Sequence, residues 1–331
     1  MDIERMFERA QKDNLFTDFD FCLYHGPDEE VRFSGGYHVS AGAHLFDIAS
    51  LTKALTHLVW WRLFALGQYS PEDLIKKFLP LSGSGDRRLW HFLSYLVQSY
   101  AFDFEHLKAG LLGKSLKEEL RRGFGPWSRT FGYDNYASAY LGLALEEIFG
   151  MTLEEVFHSQ FGISSVTSKL VFHPRYRGRV APERIVPTSP TFCGAVHDPL
   201  SRLYQPEQVS VAGVFSDAST IAEIFHRELD PIMHSPFYDM ASVNQLDKCN
   251  VKGRSHALGF DIPYPTMFAD PVEGALIFSG WTGCRLFFAK RPRITFCYLT
   301  NRVFCEDTPE SRKRSSQFFG EVVRKVIARC D

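Results

Sequence analysis

The chain predicts an α/β protein of the α+β kind, with an antiparallel sheet flanked by helices and a mostly helical region inserted between the halves of the sheet-bearing part. Three observations carry this expectation. Strand-like runs rich in aromatic and β-branched residues lie near both ends of the chain, as Phe19 to Tyr24, Val31 to Val39, Ala275 to Lys290 and Ile294 to Arg302. Between about Pro71 and Pro206 the pattern turns helical and loop-rich, with Pro, Gly and Ser clusters at 80–85 and 185–192. The C-terminal stretch is amphipathic at helical spacing and should lie on the sheet. The expected division is residues 1–70 plus 207–331 as the α/β domain and 71–206 as the inserted helical domain.

The elements follow in order. Met1 to Arg9 reads as an amphipathic helix with charges of both signs, lacking the apolar centre of a signal peptide. The first two strands flank a Gly26-Pro27-Asp28 turn. An apolar helix then begins near Ser50 and runs through Ala54, Leu55, Leu58, Val59, Trp60 and Trp61. Gly67 ends it and Pro71 prevents its return. Phe131 to Gly142 is a turn-forming stretch that leads into a second apolar helix through Leu143, Leu145 and Ile148, leaving Tyr133 and Asn135 on the preceding loop. The two C-terminal runs read as neighbouring antiparallel strands separated by Arg291-Pro292-Arg293. The last helix takes Thr308 as N-cap and Pro309 at its first position, and repeats apolar residues through Phe318, Phe319, Val322, Val323, Val326 and Ile327.

The chemistry concentrates at Ser50 and Lys53. Residues three apart on a helix share a face, so a hydroxyl and an amine can meet there without tertiary coincidence. A serine is a weak nucleophile, and a lysine can act as its base when burial or a nearby positive charge keeps the amine neutral. The apolar flanks Phe46, Ile48, Ala49 and Leu51 supply that burial. A serine at a helix start also presents its own N–H as half of an oxyanion hole. The plainer alternative makes Ser50 an N-cap and lets Lys53 snorkel to the surface.

Two further stations follow. Tyr133 offers a phenol that can relay a proton, and Asn135 an amide able to bond both a lysine and a substrate carbonyl; a stacked aromatic turn with a helix cap is the other reading. In Phe278-Ser279-Gly280-Trp281-Thr282-Gly283, the two glycines permit close backbone approach to a ligand, and the Trp281 N–H is a second oxyanion donor if this strand edge faces Ser50.

Together these segments resemble the serine β-lactamase and penicillin-binding-protein superfamily, in its class C-like branch of esterases and D-peptidases. That family carries Ser-x-x-Lys early, Tyr-x-Asn in the middle and a Lys/His-Thr-Gly strand near the end. Phe46 to Lys53, Gly194 to Asp198, Val211 to Ser216 and Leu299 to Arg302 extend the resemblance over nearly the whole chain. It implies a β-lactamase/transpeptidase-like fold, with Ser50 as acylated nucleophile, Lys53 as base and Tyr133 as proton relay. Asn135, Phe278, Ser279, Gly280 and Trp281 would contact substrate. Phe278 replaces the family's cationic or polar residue and has no donor for a carboxylate. That departure counts against β-lactam hydrolysis and tilts the expectation towards a neutral ester or amide, although Arg285 on the adjacent strand could still receive a carboxylate. A second departure lies at Ser94-Tyr95-Leu96-Val97, where the family commonly shows His-Thr-Ser-Gly.

Composition narrows the remaining classes. A 331-residue chain with 45% apolar and 23% charged residues suits a globular enzyme. A net charge of −2 argues against a nucleic-acid footprint or a polybasic membrane surface. Seven scattered cysteines, an odd number, suit a reducing compartment, so a cytoplasmic location is expected. The twelve histidines show no metal-ligand spacing, and Gly83/Gly85 and Gly123/Gly125 show no nucleotide fingerprint, so neither metal nor cofactor is expected. His197-Asp198 is read as a structural pair, because adjacent residues point apart. The expected partner is a small-molecule ester, amide or peptide substrate, with no nucleic acid and no membrane. The alternatives are a D,D-carboxypeptidase, a D-aminopeptidase or a penicillin-binding activity, and, from another class, a non-catalytic binding protein of the same fold.

Overall fold

The computed structural model describes residues 2–79, 87–97, 115–121, 131–162, 169–178, 180–191, 193–241, 255–263, 272 and 274–330. The 80–85 cluster, Gly123, Gly125 and Cys249 lie outside them. The principal helices are α1 (Ile3–Lys12), α2 (Leu51–Ala65), α3 (Asn135–Phe149), α4 (Ala218–Met233) and α5 (Pro309–Cys330). The strands are β1 (Asp18–His25), β2 (Asp28–Gly36), β3 (Phe46–Asp47), β4 (Val171–Phe172), β5 (Val214–Ser216), β6 (Leu276–Ser279), β7 (Arg285–Ala289) and β8 (Ile294–Thr300).

Antiparallel pairing of β1 with β8, from Phe19 opposite Thr300 to His25 opposite Ile294, stitches the two ends of the chain into one sheet. Its order is β2-β1-β8-β7-β6, every pair antiparallel. The sheet separates two apolar layers. On one face α1 and α5 pack through an aromatic cluster in which Phe7 meets Phe16, Phe19, Phe21, Phe33, Tyr298 and Phe318. This is where many of the thirty phenylalanines go. On the other face lie α2, α3 and α4.

Helix α2 is buried along nearly its whole length, on all sides rather than on one stripe. Its polar side chains must therefore find partners inside the protein. Trp60 and Trp61 donate to the Leu141 and Leu258 carbonyls, Thr56 accepts from Ser210, and one ring nitrogen of His57 bonds the Gly259 carbonyl. These bonds draw in the segments before β5 and before β6.

The expected antiparallel sheet with flanking helices is the observed architecture, and it differs in detail at three places. The second strand ends at Gly36 rather than Val39, because Gly36 turns the chain with φ 127° and Asp18 accepts from the His38 and Val39 N–H groups, fixing Tyr37–Ser40 as a helical turn. The run Ala275 to Lys290 is two strands, β6 and β7, reversed at Gly280 to Cys284 where Gly283 takes φ 108°. A second, three-stranded sheet β3-β5-β4 was not foreseen from the sequence, since two- and three-residue strands are too short to show a period. Through β4 the expected inserted region, residues 71–206, contributes a strand beside β5. Among the described residues no helix is long and apolar enough to cross a membrane.

Asp20 of β1 is buried beneath α4, with Oδ2 accepting from the Ala218 N–H at 2.8 Å and Oδ1 unpartnered among the described residues. Burial pushes its carboxyl up to about 7, against the pull of that hydrogen bond. The folded state thus holds this proton more tightly than the unfolded chain, which gives stability present below about pH 4 and lost as pH rises through about 7. Asp20→Asn should therefore show a shallower fall in thermal midpoint between pH 5 and pH 8 than the parent protein. Parallel slopes would show that Asp20 does not carry this dependence.

Candidate active site

Ser50 sits immediately before α2, at its N-cap, with φ −65°. The preceding Ala49 adopts φ +48°, a left-handed conformation that L residues occupy at a cost and that turns the chain sharply out of β3. Asp47 braces this elbow. Its Oδ1 accepts from the Ala49 N–H at 2.8 Å, Oδ2 from the His197 N–H at 2.7 Å, and its carbonyl from the Thr282 hydroxyl at 2.9 Å. Burial pushes its carboxyl up to about 6, against the two N–H bonds that stabilise the charged form. One buried residue thus ties the serine loop to the 197 segment and to the β6–β7 turn.

Lys53 is wholly buried, so the snorkelling arrangement does not occur. Its amine donates to the Val211 carbonyl at 2.7 Å and to Ser50 Oγ at 3.0 Å. Tyr133 Oη donates to the same Ser50 Oγ at 3.0 Å, and the Lys53 amine lies 5.4 Å from the centre of the Tyr133 ring. Nucleophile, amine and phenol are therefore in mutual reach. One turn beyond Lys53, His57 is held neutral because burial lowers it to about 3, so the imidazole adds no positive charge beside the amine at ordinary pH.

Tyr133 reaches the serine because Asp134 caps α3, accepting from the Tyr136 N–H, and Tyr95, at φ +53°, lays its ring 5.0 Å from that of Tyr133. Asn135 is the first residue of α3 rather than part of the loop, because the cap is Asp134.

A cleft of about 400 Å³ opens above Ser50, lined by Tyr133, Asn135, Ser279, Gly280 and Trp281 among others. A Cβ at Gly280 would stand 2.8 Å from the Ile48 carbonyl, which measures how closely the end of β6 approaches the serine loop. Neither the Ser50 nor the Trp281 backbone N–H donates a hydrogen bond among the described residues. Both residues line that cleft.

Phe278 is placed differently from the other nominated residues. Its side chain is buried against His57 and Phe260 and does not line the cleft, while Ser279, the next residue along the strand, does. Its apolar character therefore says nothing direct about the charge of a ligand above Ser50. The sequence reading did not nominate Asp198, Arg302, Arg312 and Ser316, which also line the cleft. Asp198 and Arg302 lay in segments that carried the family resemblance. Arg312 and Ser316 share a helix face by their spacing of four, but only the docking of α5 brings that face to the site. Among the described residues no cluster of His, Cys, Asp or Glu could hold a metal.

An antiparallel sheet sandwiched between helices, with a serine at the head of a buried helix and the edge of β6 beside it, defines the β-lactamase/transpeptidase class of fold. The sequence model of the beta-lactamase family matches residues 21–316, and the chain belongs to that family. No curated protein sequence matches it. Among solved structures it is similar to EstCE1, described as a hydrolase with promiscuous acyltransferase activity, with a TM-score of 0.68 at 15% identity over 97% of each chain. It is also similar to EstA from Arthrobacter nitroguajacolicus Rue61a (TM-score 0.66, 17% identity, 97% of this chain and 95% of that one). A penicillin-binding protein homologue from Caulobacter crescentus superposes with a TM-score of 0.68 at 17% identity, over 98% and 96% of the two chains. At such identities the likeness is one of fold.

Gly283 shapes the turn that presents Trp281. At φ 108° it occupies a region closed to L side chains, and a Cβ there would fall on the Thr300 hydroxyl. Gly283→Ala should lower the unfolding free energy by about 2–4 kcal/mol, combining backbone strain with overpacking. Urea denaturation measures this, and a loss below about 1 kcal/mol would mean that the turn relaxes freely.

Proposed function

We propose that this protein is a serine hydrolase that cleaves an ester or amide through an acyl-enzyme on Ser50. The observation that carries the reading is the convergence of the Lys53 amine and the Tyr133 hydroxyl on Ser50 Oγ, each at 3.0 Å. In its neutral form Lys53 takes the serine proton as Oγ attacks the substrate carbonyl. The resulting oxyanion is received by the N–H groups of Ser50 and Trp281, and Asn135 contacts the acyl portion. Collapse expels the leaving group, which takes a proton through Tyr133. Water then attacks the acyl-enzyme, gives up a proton to the same lysine–tyrosine pair and frees Ser50.

Family membership supports hydrolysis in general, and the similarity to esterases supports an ester as the first substrate to try. The reading includes a reducing, cytoplasmic setting, which the odd and scattered cysteines support.

The test is intact mass after exposure to a fluorophosphonate. A single adduct is expected on the parent protein and none on Ser50→Ala. Lys53→Ala should label slower by about 10²–10⁴-fold, the usual contribution of a positioned base. An unlabelled but folded parent protein would favour a non-catalytic binding role on the same fold. Near-parental labelling of Lys53→Ala would show that the base is another group.

Gly280→Ala probes the second oxyanion donor. Because the new methyl meets the Ile48 carbonyl at 2.8 Å, strand and serine loop must separate, and ester turnover should fall by roughly the 10²–10³-fold seen when an oxyanion donor is lost. Unchanged kcat on a short p-nitrophenyl ester would remove the Trp281 N–H from the mechanism.

A further inference from the structure

The Trp281 N–H can receive an oxyanion only if the Gly280–Trp281 peptide plane is held in one orientation, and the β6–β7 turn shows what holds it. The peptide is trans, so its carbonyl and its N–H point in opposite directions. The Gly280 carbonyl accepts from the Gly283 N–H at 3.1 Å, inside the turn, and from Arg285 Nη1 at 3.4 Å. That leaves the Trp281 N–H on the opposite side, where it donates to no group among the described residues.

Arg285 is only 9% exposed, and no carboxylate lies within ion-pair distance of it among the described residues. The same Nη1 meets the Cys284 carbonyl at 3.2 Å, and that carbonyl also accepts from the Gly280 N–H at 2.8 Å. One nitrogen thus bridges both carbonyls that close the turn. Nη2 donates to the Ser315 hydroxyl at 3.4 Å, and the guanidinium lies 5.8 Å from the centre of the Phe319 ring. Ser315 and Phe319 both belong to α5, so the cation is packed between the turn and that helix. A buried cation with no carboxylate beside it is stabilised by carbonyl dipoles and hydroxyls, which opposes any rotation that turns a carbonyl away. The following plane is held in a similar way: the Trp281 carbonyl accepts from Arg302 at 2.7 Å, and the indole donates to Asp307 at 2.7 Å.

We infer that Arg285 is a positioning residue for the oxyanion hole. Acting through the Gly280 carbonyl, it fixes and polarises the peptide whose N–H, on Trp281, receives the oxyanion. A guanidinium at a carbonyl oxygen draws electron density along the amide and makes the N–H at its other end a stronger donor. This rests on the hydrolase reading above and deepens it: the cation at 285 serves the turn that presents the donor, and α5 takes part in the chemistry by holding that cation in place.

The experiment compares p-nitrophenyl acetate with its thiono analogue, in which sulfur replaces the carbonyl oxygen. Sulfur accepts hydrogen bonds weakly, so the ratio of the two kcat/KM values, oxygen over sulfur, reads how well the oxyanion hole is engaged. In Arg285→Met that ratio should fall by about tenfold or more, a share of the 10²–10³-fold effect of removing an oxyanion donor outright. Arg285→Lys should return it to within about threefold of the parent, because a single nitrogen makes both carbonyl contacts and an ammonium can replace it. Arg285→Gln, also uncharged, takes the place of the methionine variant should that one not fold. A general loosening of the site slows both esters alike, so an unchanged ratio in the uncharged variant overturns the inference whatever the absolute rates. A lysine variant no better than the uncharged one overturns it too. If the parent protein is labelled by a fluorophosphonate but does not turn over both esters, labelling rates of the same variants decide, since the phosphonyl oxygen takes the place of the oxyanion. Slowing by about tenfold in the uncharged variant supports the inference, and a parental rate sinks it while leaving the hydrolase standing. A parent protein that neither labels nor hydrolyses removes both readings together.

Discussion

A lysine whose amine is wholly buried must have its donors met inside the protein, and that constraint organises the centre of this molecule. Lys53 meets it with the Val211 carbonyl and Ser50 Oγ. The first bond requires the segment leading into β5 to lie against α2; the second fixes the serine hydroxyl at the head of the helix. Other polar groups of α2 are tied in the same manner, by Ser210 to Thr56 and by the Gly259 carbonyl to one ring nitrogen of His57. A helix buried on every side can sit only within a core. Its start, headed by Ser50, lines the cleft.

The rest of the fold holds the walls of that cleft in place. The β1–β8 pairing and the Asn301 side chain, which accepts from the Thr17 and Asp18 N–H groups, lock the C-terminal strands to the N-terminal ones. This brings β6 and the 280–284 turn beside the serine loop, although more than 220 residues separate them in sequence. Asp47 completes the assembly from beneath. Its burial raises its own carboxyl, so the brace is held at an electrostatic cost by a framework that over-determines it.

The charge of the cleft is divided in a comparable way. Arg302 is consumed by structure, holding the Trp281 carbonyl and Asp307 and thereby the mouth of the site. Arg312 shares Asp307 with it, and Arg285 contacts the Gly280 and Cys284 carbonyls and the Ser315 hydroxyl at 3.2 to 3.4 Å.

Ser50, Lys53, Tyr133 and Asn135 were legible in the sequence because their spacing is local: one helical turn sets the first pair and one helix start sets the second. The strands of the main sheet were legible from their aromatic and β-branched content, and α5 from its cap and period. What the sequence alone did not decide depends on contacts between distant segments. The direction of the Phe278 side chain follows from strand register. The three-stranded sheet follows from pairings too short to leave a period. The places of Arg285, Arg312 and Ser316 at the cleft follow from how α5 docks on β7. Local propensity and spacing propose such residues without placing them, because burial and charge pairing exist only once the chain has closed on itself.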